Sequence, residues 1–358
     1  MEKKIKVMIV DDSASVRKVI GEIIDSTPDM ELMAAAHDPI IAMHHLKNQW
    51  PDVMILDIEM PRKDGITFLK EIMRDRPTPV IICSTLAEKD AEITMEALSS
   101  GAVEVITKPK VGIKDFLNES IVTITDAVRS AYNAKVSRLT LKSSQKLSAP
   151  PKLTADVILS PRAEKSVVTS KEKFVAIGAS AGGTNAIENV LKALPSSSPG
   201  IVIVQHMPEK FTNAFAQRLD RLCDIEVKEA KDGDEVRNGC AIIAPGNRHM
   251  LISIKGKNLY VQIKDGPRVS RHRPSVDVLF RSVSKVAGKN ALGIIMTGMG
   301  DDGAAGMMEM HNAGIKTIAQ DEETCVVFGM PHEAIKLGGV DEILPLNKMA
   351  DAIISYCN

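Results

Sequence analysis

Short aliphatic runs alternate with amphipathic stretches over the first third of the chain. Each run has the length of a buried strand and each amphipathic stretch has the length of a helix, so we predict five βα units around a doubly wound parallel sheet. The predicted strands are Ile5–Val10, Glu31–Ala36, Val53–Asp57, Val80–Ser84 and Val103–Thr107. Residues 1–133 are therefore expected to form one α/β domain.

The alternation fades between residues 134 and 173, where Ser, Lys, Thr and Pro predominate. The pair Pro150-Pro151 and the polar composition predict a flexible, partly extended linker. One short apolar piece within it, Val157–Leu159, is suited to local packing.

The alternation returns after Lys173 and predicts a second α/β domain over residues 174–358. Its predicted strands include Phe174–Ala179, Ile201–Gln205 and Leu292–Thr297, with helices from Thr184, Thr212 and Gly303. Between them, two β-rich pieces flank Lys255-Gly256-Lys257-Asn258 and predict a β-hairpin.

Composition narrows the functional classes. A chain of 358 residues has room for about two domains. Its 45 basic and 46 acidic residues leave a net charge of −1, which gives no field for nucleic acid or for an anionic membrane. No apolar run approaches the roughly 20 residues that span a bilayer, and the five scattered cysteines lack Cys-x-x-Cys spacing. We therefore expect a cytoplasmic protein with no nucleic-acid partner and no direct membrane insertion.

Polar residues follow the predicted strands of the first domain. Asp11 and Asp12 follow the first strand, and Asp57, Ser84 and Lys108 stand at the ends of the third, fourth and fifth. Three carboxylates at one sheet edge repel each other and favour a hard divalent cation, most plausibly Mg²⁺. Asp57 is then placed to take up a phosphoryl group, with Lys108 and Ser84 contacting its oxygens.

This first part of the chain resembles the receiver domain of two-component response regulators, a flavodoxin-like fold. The matching motifs are Val10-Asp11-Asp12-Ser13, Leu56-Asp57-Ile58-Glu59-Met60-Pro61, Asp64-Gly65, Ser84 and Thr107-Lys108-Pro109. The resemblance implies that a histidine kinase phosphorylates Asp57 and that Asp11 and Asp12 help to hold Mg²⁺. Val105 stands where many receivers carry an aromatic switch residue, so an aromatic-rotamer mechanism is not expected.

In the second domain, the strand Phe174–Ala179 ends at Ser180, which is surrounded by glycines. Glycine lets the chain turn sharply and approach closely, and ligands bind at the carboxyl ends of strands in open α/β sheets. This setting is typical of an exposed nucleophilic hydroxyl. The alternative is a serine that merely caps the following helix.

A serine hydroxyl needs a base to remove its proton, and the base needs an orienting acid. His206 follows the next predicted strand, and Asp301 and Asp302 follow the strand Leu292–Thr297 through a glycine-rich turn. Because these strand ends share one sheet edge, Ser, His and Asp are predicted to meet there. The backbone N–H of Met299 in the turn is a candidate oxyanion donor.

Two other patterns compete with this assignment. The Gly-x-Ser-x-Gly motif around Ser180 also matches an α/β-hydrolase, in which the acid precedes the histidine, and this order allows Asp234 with His272 or His332. Asp234, however, lies in a polar, turn-like stretch. His332-Glu333 begins like a zinc-protease helix, but Lys336 occupies the position of the second histidine.

Residues 174–358 resemble the catalytic domain of the chemotaxis protein-glutamate methylesterases, and the receiver in front completes that family's architecture. The motifs are Ile177-Gly178-Ala179-Ser180, Gln205-His206-Met207, Ala244-Pro245-Gly246, Arg273-Pro274-Ser275-Val276-Asp277 and Thr297-Gly298-Met299-Gly300-Asp301-Asp302-Gly303. By this resemblance Ser180 is the nucleophile, His206 the general base and Asp302, rather than Asp301, the orienting carboxylate. Ala181 replaces the threonine that family members often carry.

The resemblance implies a serine hydrolase, activated by phosphorylation, that removes methyl esters from glutamates and deamidates glutamines during chemotactic adaptation. It implies methyl-accepting chemoreceptors as substrate, a chemotaxis histidine kinase as phosphodonor, and no cofactor in the catalytic domain. It also implies that the unphosphorylated receiver covers the active site. The rival interpretation is a response regulator whose second domain only binds DNA or a protein scaffold, and no helix-turn-helix pattern supports it.

Overall fold

The computed structural model describes residues 3–60, 64–85, 88–109, 114–134, 152–160 and 173–357. These residues fall into two compact units, which lie within residues 1–139 and 140–358. The domain bounds expected from the sequence, at 1–133, 134–173 and 174–358, stay predictions. Within the described ranges, no helix combines the length and the apolar character needed to cross a membrane.

The first unit is a five-stranded parallel sheet with strand order β2-β1-β3-β4-β5. This order confirms the flavodoxin-like receiver fold expected from the sequence. The strands are β1 Ile5–Val10, β2 Met30–Ala36, β3 Val53–Leu56, β4 Val80–Ser84 and β5 Glu104–Thr107. The helices are α1 Ala14–Ser26, α2 Pro39–Leu46, α3 Gly65–Asp75, α4 Glu88–Ser99 and α5 Lys114–Tyr132.

Side-chain caps fix where three of these helices begin. Ser13 accepts a hydrogen bond from the N–H of Val16 in α1, Asp38 caps α2, and Asp64 accepts from Thr67 N in α3 at 2.8 Å. All four residues of β3 are buried, as a central strand covered on both faces requires. The loops after the strands are therefore held at one edge of a rigid sheet.

The second unit is a seven-stranded parallel sheet with the order β14-β13-β12-β6-β7-β9-β8, and a separate hairpin of β10 and β11. Its strands are β6 Phe174–Ala179, β7 Gly200–Gln205, β8 Glu226–Glu229, β9 Cys240–Ile243, β10 His249–Lys255, β11 Asn258–Lys264, β12 Ala291–Ile295, β13 Lys316–Gln320 and β14 Glu342–Leu344. Its helices are α6 Gly183–Lys192, α7 Phe211–Leu222, α8 Val276–Val286, α9 Ala304–Asn312, α10 Met330–Leu337 and α11 Met349–Cys357.

The direction of winding reverses beside β6. From β6 the chain adds β7, β9 and β8 on one side of the sheet, and β12, β13 and β14 on the other. The gap between β6 and β12 is therefore a topological switch point, where open α/β sheets bind their ligands. The fold class is the one predicted: two α/β units, the second carrying a β-hairpin.

The structure contains the predicted hairpin, but one predicted strand is shorter. In the hairpin, Lys255 pairs with Asn258 across a two-residue turn in which Gly256 has a φ of +67°. Strand β12 ends at Ile295, earlier than the predicted Thr297, because the N–H of Thr297 donates to the Gln320 side chain at 2.9 Å. A side chain has replaced the neighbouring strand as hydrogen-bond acceptor.

Part of the region that the sequence predicts to be a linker is ordered. Residues 155–157 form a single 3₁₀ turn, and Ala155 is buried in a small cluster with Leu251, Val269 and Val278. Ile158 and Leu159 pack against the same cluster. The apolar piece predicted to pack locally thus belongs to the second unit.

Candidate active site and phosphorylation site

Ser180 follows β6 and lies at the switch point. Its backbone N–H donates to the carbonyl of Thr297 at 3.0 Å, and its own carbonyl accepts from Gly183 N–H at 2.7 Å. The N-cap of α6 is Gly182, with a φ of +74° and no side-chain cap. The alternative in which Ser180 caps the helix is therefore wrong: Ser180 lies two residues before the N-cap, directly after β6, and is 7% exposed.

Glycine is required directly beside this serine. A Cβ atom on Gly298 would lie 2.8 Å from the Cβ of Ser180, closer than side-chain atoms approach. The hydroxyl of Thr297 donates to the carbonyl of Ala181 at 2.9 Å and so ties the two strand ends together. Ala181 stands where a threonine was expected, and the hydroxyl of Thr297, which follows β12, bonds its carbonyl instead.

His206 lies at the neighbouring strand end. Ala179 pairs with Gln205 in the β6–β7 register, and the N–H of His206 donates to the carbonyl of Ala179 at 3.0 Å. Continuing this register sets Ser180 opposite His206, on strands that parallel sheets space at about 4.8 Å. The serine hydroxyl and the imidazole make no hydrogen bond in this structure, a common situation before substrate binds.

The ring of His206 is fixed from its other side. Its Nε2 lies 2.8 Å from Oδ2 of Asp302. Its Nδ1 is buried and has no hydrogen-bond partner among the residues that the structure describes. The carboxylate thus defines which nitrogen carries a proton when the ring is neutral: Nε2 donates to Asp302, which leaves Nδ1 as the basic nitrogen.

Asp302 is held by more than the histidine. Besides His206, it accepts from the hydroxyl of Ser275 at 2.8 Å and from the backbone N–H groups of Val276 at 2.8 Å and Asp277 at 3.0 Å. Burial alone would raise the pKa of Asp302, but the bond and the charge of His206 and these donors hold it below its ordinary value. The carboxyl is therefore a carboxylate at neutral pH.

A second histidine packs flat on the first. The rings of His206 and His272 are stacked, with centroids 3.7 Å apart and planes 8° from parallel. Burial, reinforced by the proximity of His206, holds the pKa of His272 well below 6.5. His272 is thus a neutral ring that stacks on the ring of His206.

The competing residues lie in other surroundings. Asp301 is half-exposed and pairs with Lys152, so it is not the partner of His206. Asp234 pairs with Lys228 at 2.7 Å in a turn, and His332 is about half exposed beside Glu333. The hydrolase order that needs Asp234 therefore lacks its carboxylate at the site.

The turn after β12 supplies a backbone donor. Met299 is half-buried, and no described residue accepts a hydrogen bond from its N–H. Gly300 follows it with a φ of +87°, a conformation that favours glycine. A free N–H in a turn next to Ser180 is what an oxyanion site requires.

The first unit gathers its three carboxylates. Asp11, Asp12 and Asp57 each place an oxygen within 4.8 Å of the others, an arrangement that could hold a metal ion. Asp11 and Asp57 are buried, whereas Asp12 is exposed. Oxygen ligands at this spacing fit a hard divalent cation such as Mg²⁺.

Lys108 completes this cluster. Its Nζ lies 2.6 Å from Oδ2 of Asp57 and 3.3 Å from Oδ2 of Asp11. Burial nevertheless raises the pKa of Asp57, and burial together with the charge of Asp57 raises the pKa of Asp11 to about 6. One lysine thus offsets only part of the cost of two buried carboxylates, which leaves room for further positive charge.

Ser84 lies at the end of β4 and is buried, with its hydroxyl 3.3 Å from that of Thr94. Val105, which occupies the position of the aromatic switch residue found in many receivers, is buried in β5. Of the five polar residues predicted at this sheet edge, Ser84 is thus the last residue of its strand, and the other four follow the ends of β1, β3 and β5.

Comparison with known proteins decides the family. Residues 175–353 match the CheB methylesterase family model, and residues 7–118 match that of the response regulator receiver domain. The chain is 58% identical over 355 residues to a protein-glutamate methylesterase/protein-glutamine glutaminase of Geobacter metallireducens, which covers 99% of both chains. The chain belongs to the CheB methylesterase family. A relative of the same name from Pseudomonas syringae is 57% identical over 353 residues, covering 98% of this chain and 99% of its own.

Among solved structures, the CheB methylesterase catalytic domain of Thermotoga maritima is similar to the second unit. It is 37% identical, with a TM-score of 0.51, and the match covers 52% of this chain and 98% of that one. The receiver and methylesterase architecture expected from the sequence is thus confirmed.

Two features of this CheB family site escape sequence reasoning. The first is the set of donors from Ser275 to Asp277 that holds Asp302, and the second is the stacking of His272 on His206. The motif Arg273-Pro274-Ser275-Val276-Asp277 signalled that this segment matters, but it lies on no strand end of the sheet. Only the packed loop shows what it contacts.

Proposed function

We propose that this chain is a protein-glutamate methylesterase activated by phosphorylation, with a glutaminase activity at the same site. The substrates are γ-methyl esters of glutamate, and the related glutamine amides, on methyl-accepting chemoreceptors. The names of the closely similar relatives support the reaction. One observation supports the site: His206 lies at the strand end next to Ser180, its Nε2 is bonded to Asp302, and its Nδ1 has no partner among the described residues.

The first half of the reaction is an acyl transfer to Ser180. Its Oγ forms a bond to the ester carbonyl carbon while Nδ1 of His206 takes the hydroxyl proton. The tetrahedral intermediate carries its negative charge on the former carbonyl oxygen, where the N–H of Met299 stabilises it. The carbon–methoxy bond then breaks, and the imidazolium returns its proton so that methanol leaves.

The second half regenerates the enzyme. A water molecule gives a proton to Nδ1 of His206 and attacks the acyl carbon. The bond to Ser180 Oγ then breaks as the imidazolium returns its proton to that oxygen, and the product is a glutamate side chain of the receptor. In the deamidation the leaving group is ammonia instead of methanol. Throughout, Asp302 stabilises the imidazolium and keeps Nε2 protonated, as an ionised carboxylate can.

In the receiver, Asp57 is the proposed phosphorylation site and a chemotaxis histidine kinase the proposed phosphodonor. Asp11, Asp12 and Asp57 would hold Mg²⁺, which when bound supplies positive charge against the phosphoryl oxygens. Lys108, already 2.6 Å from Asp57, neutralises the same charge, and Ser84 donates to an oxygen. A cytoplasmic location belongs to the proposal, and it fits the four free thiols among the described residues, which are Cys83, Cys223, Cys240 and Cys325.

The test is methanol release from a methylated chemoreceptor by the full chain with Mg²⁺, with and without a small phosphodonor such as acetyl phosphate. Release should occur and should rise with the donor. Asp57→Asn should abolish the rise, whereas Asp52→Asn should keep it, because Asp52 lies at the opposite end of β3 and bonds Lys6. Activation of the Asp57→Asn variant would move the switch elsewhere, and no release at all would favour the binding-only rival.

A further inference from the structure

Residues 152–160, here called the strap, lie outside the segment matched by the methylesterase model, yet they pack against the second unit beside the turn that carries His272. Ala155 is 3% exposed and belongs to a buried apolar cluster with Leu251, Val269 and Val278. Asp156 forms an ion pair with Arg281, a buried guanidinium that also binds Glu309. The strap is thus held by apolar packing and by charge.

The strap contacts one turn in particular. The carbonyl of Leu153 accepts a hydrogen bond from the N–H of Ser270 at 2.9 Å. Ser270 and Arg271 have φ values of 49° and 73°, in the left-handed region that residues with side chains rarely adopt. Such conformations persist where the surroundings impose them, and the strap supplies part of those surroundings.

This turn carries the residue that stacks on the proposed base. Val269 and His272 close the turn with paired backbone hydrogen bonds of 3.0 and 2.8 Å, so the position of one fixes the other. Val269 belongs to the same buried cluster as Ala155, Leu153 of the strap bonds Ser270 directly, and the ring centroids of His272 and His206 are 3.7 Å apart. A continuous series of contacts therefore joins the strap to the imidazole of His206.

We propose that the strap is a positioning element of the active site: it fixes the turn of residues 269–272 and thereby the ring of His272 on which His206 rests. The expected change in kcat rests on the proposed function, whereas the expected change in the positions of the two histidine rings rests on geometry alone. It predicts that freeing the strap loosens the base without removing any catalytic residue. The catalytic unit would then begin before residue 174, at the strap.

The chain offers a matched pair of substitutions within the strap. Ala155→Asp puts a carboxylate into the apolar cluster and should displace the strap. Val157→Asp introduces the same carboxylate two residues away, at a residue that is 47% exposed, and should leave the strap in place. Both are made in the full chain and assayed for methanol release with the phosphodonor.

For Ala155→Asp we expect kcat to fall about tenfold with KM within about twofold, because a displaced base slows the chemical step more than it weakens binding. The pH dependence of kcat should shift as well. The ring ¹H–¹⁵N signals of His206 and His272 should move in this variant, and Val157→Asp should match the wild type in every measurement. Wild-type kcat and ring signals in Ala155→Asp would overturn the proposal.

A second variant replaces residues 152–160 with a Gly/Ser stretch of equal length and decides the matter if Ala155→Asp does not fold. It should stay folded, with the same fall in kcat and the same change in the ring signals. Unfolding of both variants would also overturn the proposal, because the strap would then be core rather than a positioning element. If the wild type released no methanol, the proposed function would fail, while the ring signals would still test the strap.

Discussion

His206 owes its role to the different partners of its two ring nitrogens. Nε2 is bonded to a carboxylate that is itself anchored by a hydroxyl and two backbone N–H groups, whereas Nδ1 has no partner in the described structure. The ring of His206 needs no substrate contact to be correctly oriented, because its hydrogen bond to Asp302 already fixes it. Asp302 and its donors are therefore where the site is most sensitive to a small change.

Asp302→Asn keeps the volume of the side chain but replaces one acceptor oxygen with a donor. We expect kcat for methanol release to fall about 10³-fold or more, because the amide favours the wrong tautomer of His206. Asp301→Asn is the matched control, since the neighbouring carboxylate is half-exposed and forms an ion pair worth at most about 1 kcal/mol. Equal losses in the two variants would contradict the assignment of Asp302.

His272 should leave a mark on stability as a function of pH. Its folded pKa lies well below 6.5, so the unfolded chain binds the additional proton, and the second unit loses stability as the pH falls below about 6.5. In His272→Phe, which keeps an aromatic plate, this loss should be smaller by up to about 1.4 kcal/mol per pH unit. Urea unfolding of the second unit at several pH values measures it. An unchanged slope would show that His272 does not stay neutral in the folded unit as the pH falls.

At the scale of elements, the strands that carry the chemistry were predictable and some of the others were not. Buried central strands such as β1 and β6 are continuous apolar runs, and the polar residue at each end stands out against them. Strand β14 has three residues, all partly exposed, and β8 alternates without an apolar run. Edge strands of this kind leave no clear pattern in the sequence.

The loops were less predictable than the strands for a physical reason. Parallel strands bring their ends together by topology, so the predicted strand ends placed Ser180, His206 and the pair Asp301-Asp302 at one edge. The choice of Asp302 over Asp301 came from the family resemblance. His272 and Ser275 reach the site through a loop whose path depends on packing between distant segments. The strap is the same case, since its polar composition gives little sign of the contacts made by Ala155.

The start of α3 provides a prediction about an element. A Cβ on Gly65 would lie 2.4 Å from the backbone oxygen of Asp57 and 2.6 Å from Cα of Ile58, and neither atom can move without displacing the proposed phosphorylation site. Gly65→Ala should therefore slow phosphorylation by acetyl phosphate about tenfold or more, as a shift of about 1 Å in a reacting group can do. The measurement is the initial rate of phosphoryl incorporation into the full chain.

Gly21→Ala is the control for this substitution. Gly21 is also a buried helical glycine in the receiver, but an added Cβ there meets only the end of the Leu32 side chain, at 3.2 Å. Alanine is favoured over glycine within a helix by up to about 1 kcal/mol. Phosphorylation should proceed at the wild-type rate in this variant, and a wild-type rate in Gly65→Ala as well would refute the close-approach argument.

At the scale of the whole molecule, one chain combines two sheets that use the same design for different chemistry. Each unit gathers its reactive side chains at the carboxyl ends of parallel strands, carboxylates and a lysine in one, and a serine, a histidine and a carboxylate in the other. The near-zero net charge excludes long-range steering by the chain as a whole. Specificity must therefore come from the local surroundings of each site.

The hydroxyl of Ser180 is the proposed nucleophile, and methanol release by Ser180→Ala in the presence of the phosphodonor tests this role. We predict a fall in turnover on the order of 10⁴-fold or more, because the nucleophile, base and acid act as a unit. The variant should fold normally, since the Ser180 hydroxyl makes no hydrogen bond to any described residue and the site is kept by backbone bonds. Turnover close to that of the wild type would contradict the account.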